Sequence, residues 1–304
     1  MPSYLEQLTP KQVARAIGVS EASLKRWCNR GIIASVRTGG GHRRVPLSAV
    51  VQFLRESGRQ LVRPEILGLP PATGNGRMVC CRALSQLGDA LAACDDEQFQ
   101  RVIFDLYLSR HTIADICDKV IAPAFRSVGE QWQHGALEVY QERRGVEICQ
   151  RTLHRLYPML PCVDDDAPRA FGGSLEGDPY VLPTTMAELV LKQAGWRAAS
   201  YGACLPVTSL CGALRTVRPR LVWLSVSAAF EPEPFLAQYQ RLYDVAHELG
   251  AALVVGGRWL TASVRSHMQF SSHCDTMNHL VAFARTLYSP PPSARAALCR
   301  ELTT

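Results

Sequence analysis

The sequence predicts a multidomain α and α/β chain: a winged helix-turn-helix head, a four-helix bundle and a five-stranded, parallel, doubly wound domain of the flavodoxin-like or Rossmann-like kind. Three observations predict it. Capping residues and a Gly-Val-Ser turn space two short amphipathic segments at the start of the chain. Residues 78–160 then show helical periodicity without strand-like alternation. Beyond residue 166 short apolar runs alternate with helical ones five times. The 304 residues, 47% hydrophobic and 20% charged, suit a globular chain of about two or more domains.

In the head, Thr9 is an N-cap with Pro10 at the first helical position, Val13, Ala14 and Ile17 form an apolar face, and Gly18 ends the helix. Ser20 caps the next helix, whose Leu24 and Trp27 face inward while Ser23, Lys25, Arg26 and Arg30 lie elsewhere on its surface. Two helices joined this way make a helix-turn-helix. Gly39, Gly40 and Gly41 then permit a tight hairpin turn between Arg37, Thr38 and the cluster His42, Arg43, Arg44, a wing suited to laying cations along phosphates. Charge agrees with pattern: residues 1–63 carry a net +8 and the remainder −2. A basic head on a near-neutral body is the electrostatic footprint of a nucleic-acid-binding module.

Residues 61–77, with Pro64, Gly68, Pro70, Pro71, Gly74 and Gly76, read as a connector that lets the head move relative to the body. Four helical runs follow at about 78–94, 96–110, 112–133 and 136–160, with Asp95 and Thr112 as caps. After Asp164-Asp165-Asp166, strands are expected at 170–175, 198–203, 221–227, 251–257 and 273–277. The intervening helices are expected near 183–195, 207–217, 234–249, 259–267 and 278–288. The expected domains are thus residues 1–60, a linker 61–77, a bundle 78–165, an α/β domain 166–290 and a tail 291–304 without a motif. In a parallel sheet a ligand sits beyond the carboxyl ends of the strands, so the loops 176–183, 225–230 and 256–259 are where a site belongs.

The run LTPKQVARAIGVSEASLKRWCNRGII, followed by TGGGHRRVPLSAVVQFLRES, resembles the winged helix-turn-helix of MerR-type regulators. That resemblance implies a second helix in the major groove of double-stranded operator DNA, with the wing on flanking backbone or minor groove. Lys11, Ser20, Ser23, Lys25, Arg26, Arg30, Arg37, Thr38, His42, Arg43 and Arg44 are the residues expected at that interface, Lys25 and Arg26 as phosphate anchors. Head, bundle and α/β domain in this order resemble the light-responsive, cobalamin-dependent repressors of the MerR type, over nearly the whole chain. Palindromic operators favour two heads per site, so a homo-oligomer is expected.

The resemblance also implies a cobalamin pocket, and the sequence departs from it. Family members carry a Trp followed after nine residues by Glu-His above the cofactor; here Trp132 is followed by Glu142 and Arg143. The family's Asp-x-His-x-x-Gly, whose His binds cobalt from below, stands as Asp178, Tyr180 and Pro183. Ser225, Ser227, Gly256 and Gly257 fall where members line the buried nucleotide tail. Imidazole is a good cobalt ligand, whereas a tyrosine must first lose a proton with a solution pKa of about 10, and a guanidinium offers only donors.

The expectation is therefore a transcriptional regulator, a repressor, working without cobalamin and without light, with no cofactor and no metal. Its pocket residues either collapse, Arg143 meeting Glu142 or Asp178, or take another ligand. Base-on cobalamin, for which Gly256-Gly257 leaves room, haem or another tetrapyrrole bound with Trp132, His134, Arg143 and Tyr180 is the alternative reading. Glu142 is also read as pairing locally with Arg143 or Arg144. An enzyme is the rival class: cobalamin mutases and methyltransferases use a similar module, but this chain lacks a substrate domain, a phosphate loop, GxGxxG and a nucleophile–base motif. Eleven scattered cysteines without CxxC read as reduced thiols. The absence of a secretory signal and of any apolar run near ~18 residues points to the cytoplasm and away from a membrane.

Overall fold

The computed structural model describes residues 7–133 and 138–290, apart from the side chains of 131–133. Two compact units divide the chain at Cys162–Val163. In the first, a short strand β1 (Gln7–Leu8) leads to α1 (Pro10–Ala16), whose capping box pairs Thr9 with Gln12. Gly18 turns the chain at φ +68°, and Ser20 caps α2 (Glu21–Asn29) by accepting the Ser23 amide at 3.0 Å. Leu24, Trp27, Val13 and Ile17 are buried, so the apolar face read from spacing is the face that packs. The wing strands β2 (Val36–Arg37) and β3 (Arg43–Pro46) are antiparallel, and β1 adds to the far edge of β3. That third strand, two residues long, gave no periodic signal. Helix α3 (Leu47–Ser57) completes the head, with Phe53 against Trp27 at 5.2 Å between ring centroids.

The segment 61–77 is not a free connector. Leu61, Pro64, Leu67, Leu69 and Thr73 are buried, and the amides of Val62 and Arg63 donate to the Ala16 carbonyl of the head. At its other end the Gly74 amide donates to the buried carboxyl of Asp105 at 2.6 Å, and the Met78 amide to Ser109 Oγ. Pro and Gly break helices here as expected. They do not leave the chain exposed, because four apolar side chains between them find a surface to cover.

The bundle comprises α4 (Cys80–Ala92), α5 (Asp96–Leu108), then α6 (Ile113–Ile116) and α7 (Ala122–Gln133) joined by one π turn, and α8 (Val139–Leu156). Asp95 and Thr112 cap α5 and α6, accepting the amides of Gln98 and Asp115. Leu87, Phe99, Ile103, Ile116, Val120, Ile148 and Leu153 fill its core.

The second unit is a parallel sheet in the order β5-β4-β6-β7-β8, made of β4 (Arg169–Ser174), β5 (Arg197–Ser200), β6 (Leu221–Ser225), β7 (Ala252–Gly256) and β8 (Ser272–His273). Helices α9 (Leu182–Gln193) and α13 (Met277–Leu287) cover one face through Ala187, Leu191, Leu280 and Ala284. Helices α10 (Val207–Val217) and α11 (Pro232–Glu248) cover the other, and the short α12 (Ala262–Arg265) lies between β7 and β8 in the chain. The last strand, expected at 273–277, is instead Ser272–His273, because Thr276 caps α13 and ends it.

Candidate DNA interface and candidate pocket

In the head, Lys11, Ser20, Lys25, Arg26, Arg30, Arg37, Thr38 and His42 are exposed, whereas Ser23, Arg43 and Arg44 are half-buried. Lys25 pairs with Glu21 one turn earlier at 2.8 Å, which fixes its stem without burying its charge. Arg43 is engaged inside the head: its guanidinium donates to Asn29 Oδ1 at 2.7 Å and to the Lys25 carbonyl at 3.3 Å, tying the wing to the end of α2. The glycine run does what the hairpin needs. Gly41 takes φ +78°, and the Thr38 amide donates to the His42 carbonyl across the turn.

The remaining site residues fall in two units. On α8, Arg143 is exposed and Glu142 half-buried. Arg144, offered as a local partner for Glu142, instead reaches Asp96 on α5 at 2.8 Å, where Arg151 joins it at 2.7 Å. A carboxylate flanked by two guanidinium groups draws both across the bundle more strongly than one exposed neighbour could. The Trp132 side chain and His134 lie outside the described residues.

In the α/β unit, the loops after β4, β6 and β7 meet beyond the carboxyl ends of the strands. Asp178 is fully buried, yet every contact to its carboxylate is a backbone amide: Oδ2 accepts from Ser227 at 2.6 Å and Ala228 at 3.2 Å, Oδ1 from Tyr180 at 3.1 Å. Three amides aimed at one carboxylate replace the water it lost. Its own carbonyl accepts from Ser174 Oγ at 2.8 Å, so this residue clasps β4 to the β6 loop. Tyr180 is 41% exposed, and Arg258 stacks on its ring at 4.6 Å while donating to the Ser227 carbonyl at 3.0 Å. Tyr180, Ser227, Arg258 and Trp259 line an open groove of about 430 Å³.

Below this groove, Ser225, Trp223 and Leu221 alternate onto the face covered by α9 and α13. Trp223 is the residue that decides what this face holds. It is 4% exposed, its ring lies over Gly172, where an added Cβ would come within 2.3 Å of it, and its Nε1 donates to Thr184 Oγ1 on α9 at 2.8 Å. Thr184 Oγ1 in turn lies 3.1 Å from Ser200 Oγ on β5. Gly172 is thus bare because both the Trp223 carbonyl oxygen, 2.2 Å from an added Cβ, and the indole occupy that space. Sequence reasoning passed over Trp223 and Thr184, although a Trp opposite a Gly on neighbouring strands would have flagged the pair once register was known.

The two glycines expected to leave room for a cofactor tail are required by the fold itself. A Cβ at Gly256 would stand 2.7 Å from the Cys274 carbonyl oxygen, and one at Gly257, where φ is +128°, 2.1 Å from that of Val226. The space is taken by the protein's own backbone. Ser225 Oγ is buried without a hydrogen-bond partner. With a tyrosine at the expected ligand position, the carboxylate committed to amides and an indole over Gly172, these residues do not fit a cobalamin held through its lower face. Among the described residues no His, Cys, Asp and Glu group has the arrangement of a metal site, and no helix is long and apolar enough to cross a membrane.

Comparison with known proteins agrees with the order of parts. Residues 8–58 match a helix-turn-helix domain family and residues 83–157 a B12 binding domain family. The HTH-type transcriptional repressor CarA of Myxococcus xanthus is 27% identical over 236 residues, 74% of this chain and 78% of that protein. CarH, a repressor of the same kind and organism, is 31% identical over 153 residues, 49% of this chain and 48% of that protein. The monomethylamine corrinoid protein of Methanosarcina barkeri superposes with a TM-score of 0.57 at 14% identity, over 69% of this chain and 100% of that one, a likeness of fold alone. The chain is thus CarA- and CarH-like, a helix-turn-helix head followed by a cobalamin-binding-like body.

Proposed function

We propose that the chain is a transcriptional repressor that binds double-stranded operator DNA through its head and whose body works without cobalamin and without light. The DNA-binding part is supported by the cationic, exposed surface of α2 and the wing, and by likeness to two proteins named as repressors. The cofactor-free part rests above all on Trp223, whose indole fills the face of the sheet below Ser225 and is held there by Thr184. Asp178 adds to it, since its carboxylate already accepts three backbone amides and the residue two positions on, where an axial imidazole would need orienting, is Tyr180. The body's role is then to set the assembly that presents the heads, as a homo-oligomer on a two-fold operator.

One observation favours a ligand-gated alternative: the unpartnered Ser225 Oγ would welcome a polar group. Absorption spectra after incubation with adenosylcobalamin or haem and removal of excess separate the readings. The cofactor-free reading expects a colourless protein and duplex-binding titrations that superimpose in darkness and under green light. Retained colour in stoichiometric amount, or light-induced loss of binding, overturns it.

A further inference from the structure

A second cavity, about 360 Å³, lies within the first unit where the end of α3, the segment 58–77 and the end of α5 come together. Four of its lining residues are arginines, Arg55, Arg59, Arg77 and Arg110, and none is acidic. Two of these guanidinium groups are held in place by neutral partners. Arg55 donates to the carbonyls of Tyr107 and His111 and stacks on the Tyr107 ring at 4.0 Å. Arg110 donates to the carbonyls of Arg55 and Glu56.

Carbonyls orient a guanidinium but leave its charge uncancelled, and each has five N–H donors of which these contacts use only some. Of the nearby carboxyls, Glu56 accepts from Gln52 and acts on Arg55 from outside the lining, and Asp105 holds the Gly74 amide with its pKa raised by burial. Burial lowers the pKa of Arg55, and Arg110 beside it pushes the same way. The cavity therefore concentrates positive charge on pre-positioned planar forks, the donor set that matches a phosphoryl group bidentately. Its volume falls in the range of small-ligand sites.

We propose that this cavity binds a phosphoryl group at the junction of head and bundle. The phosphoryl group has two sources, a free phosphorylated small molecule or the backbone of bound DNA. A ligand here would cross-link α3 to α5, the place where the head's position is set. The inference needs only the first unit, so it survives if the body does bind a corrin.

The test uses the full chain with pyrophosphate, AMP and sodium chloride at matched ionic strength, read by titration calorimetry and thermal melting. Arg77→Gln is the probe variant because, among the described residues, Arg77 makes no hydrogen bond or ion pair. Arg55→Lys, which keeps the charge and loses the fork, is the second. Expected is saturable binding of pyrophosphate or AMP with a melting-temperature rise of several degrees over the chloride control, weakened at least tenfold in both variants. Without such binding, a reduced salt slope, by about one, for Arg77→Gln on a 30-base-pair duplex assigns the site to DNA phosphate. No binding of either probe together with an unchanged duplex affinity and slope in Arg77→Gln overturns the proposal.

Discussion

The guanidinium of Arg43 in the wing donates to Oδ1 of Asn29 at the end of α2, 2.7 Å away. A wing arginine of this kind reads from sequence as a phosphate contact, but here it sets the angle between the wing and the second helix. Arg44, one residue on, donates among the described residues to the Arg43 carbonyl alone, at 3.4 Å. Arg44→Ala should weaken duplex binding severalfold and lower the salt slope by about one. Asn29→Ala should weaken it by a similar factor with the slope unchanged, since no charge is lost. Anisotropy titrations from 50 to 200 mM salt measure both; a reduced slope in Asn29→Ala would mean that Arg43 itself reaches phosphate.

Asp178 predicts a stability effect with a clear asymmetry. Asp178→Ala removes the acceptor for one buried and two half-buried amides and should cost about 2–4 kcal/mol in denaturant unfolding of the α/β unit. Asp178→Asn keeps one carbonyl oxygen but turns an amide donor toward other donors, and about 1–3 kcal/mol is expected. A loss below 0.5 kcal/mol in both would show that water satisfies these amides as well as the carboxylate does.

Gly172 and Trp223 should behave as one unit. Trp223→Ala leaves a hole beside Gly172 and strips Thr184 of a donor, at about 3–5 kcal/mol. Gly172→Ala forces a methyl group into the ring and should cost about 1–3 kcal/mol. The pair Gly172→Ala with Trp223→Ala should lose less than the sum only by the ring's share of the clash, because the Trp223 carbonyl oxygen, 2.2 Å from that methyl group, stays in place. Additive losses would assign the clash at Gly172 to the Trp223 carbonyl and not to its ring.

Asp105 gives a pH dependence with a defined sign. Burial raises its pKa above the usual 3.8, against the lowering effects of the Gly74 amide and of Arg101. The folded chain then binds more protons than the unfolded chain just above pH 3.8, so this residue's contribution to stability falls as pH rises through that interval. Asp105→Asn keeps an acceptor for Gly74 and removes the titration. Its stability relative to the parent should improve between pH 4 and pH 7, read from urea midpoints; parallel profiles would refute the assignment.

Local rules carried most of the fold. Thr9, Ser20, Asp95 and Thr112 announce helix starts by chemistry that needs no tertiary context, and all four accept the amide expected of a cap. The apolar runs at 170–175, 221–227 and 251–257 mark the three central strands, whereas the fifth, expected at 273–277, is the two-residue Ser272–His273. The site was less readable because its decisive contacts are register facts. Nothing adjacent in the chain links Gly172 to Trp223, Asp178 to Ser227 or Arg43 to Asn29. The segment 61–77 misled for a related reason: Pro and Gly report that a helix cannot form, and say nothing about whether Leu61, Leu67 and Leu69 will be buried.

That packed segment has a consequence for how DNA spacing is measured. With the amides of Val62 and Arg63 on α1 and that of Gly74 on α5, the segment is tied to the head at one end and to the bundle at the other. Two chains joined through their bundles would hold their recognition helices like the jaws of a locked caliper. Half-sites separated by a whole helical turn of about 10.5 base pairs present themselves on one side of the duplex. Inserting five base pairs between them turns the second half-site to the far side, and a locked caliper loses it where a hinged one would swing round to follow.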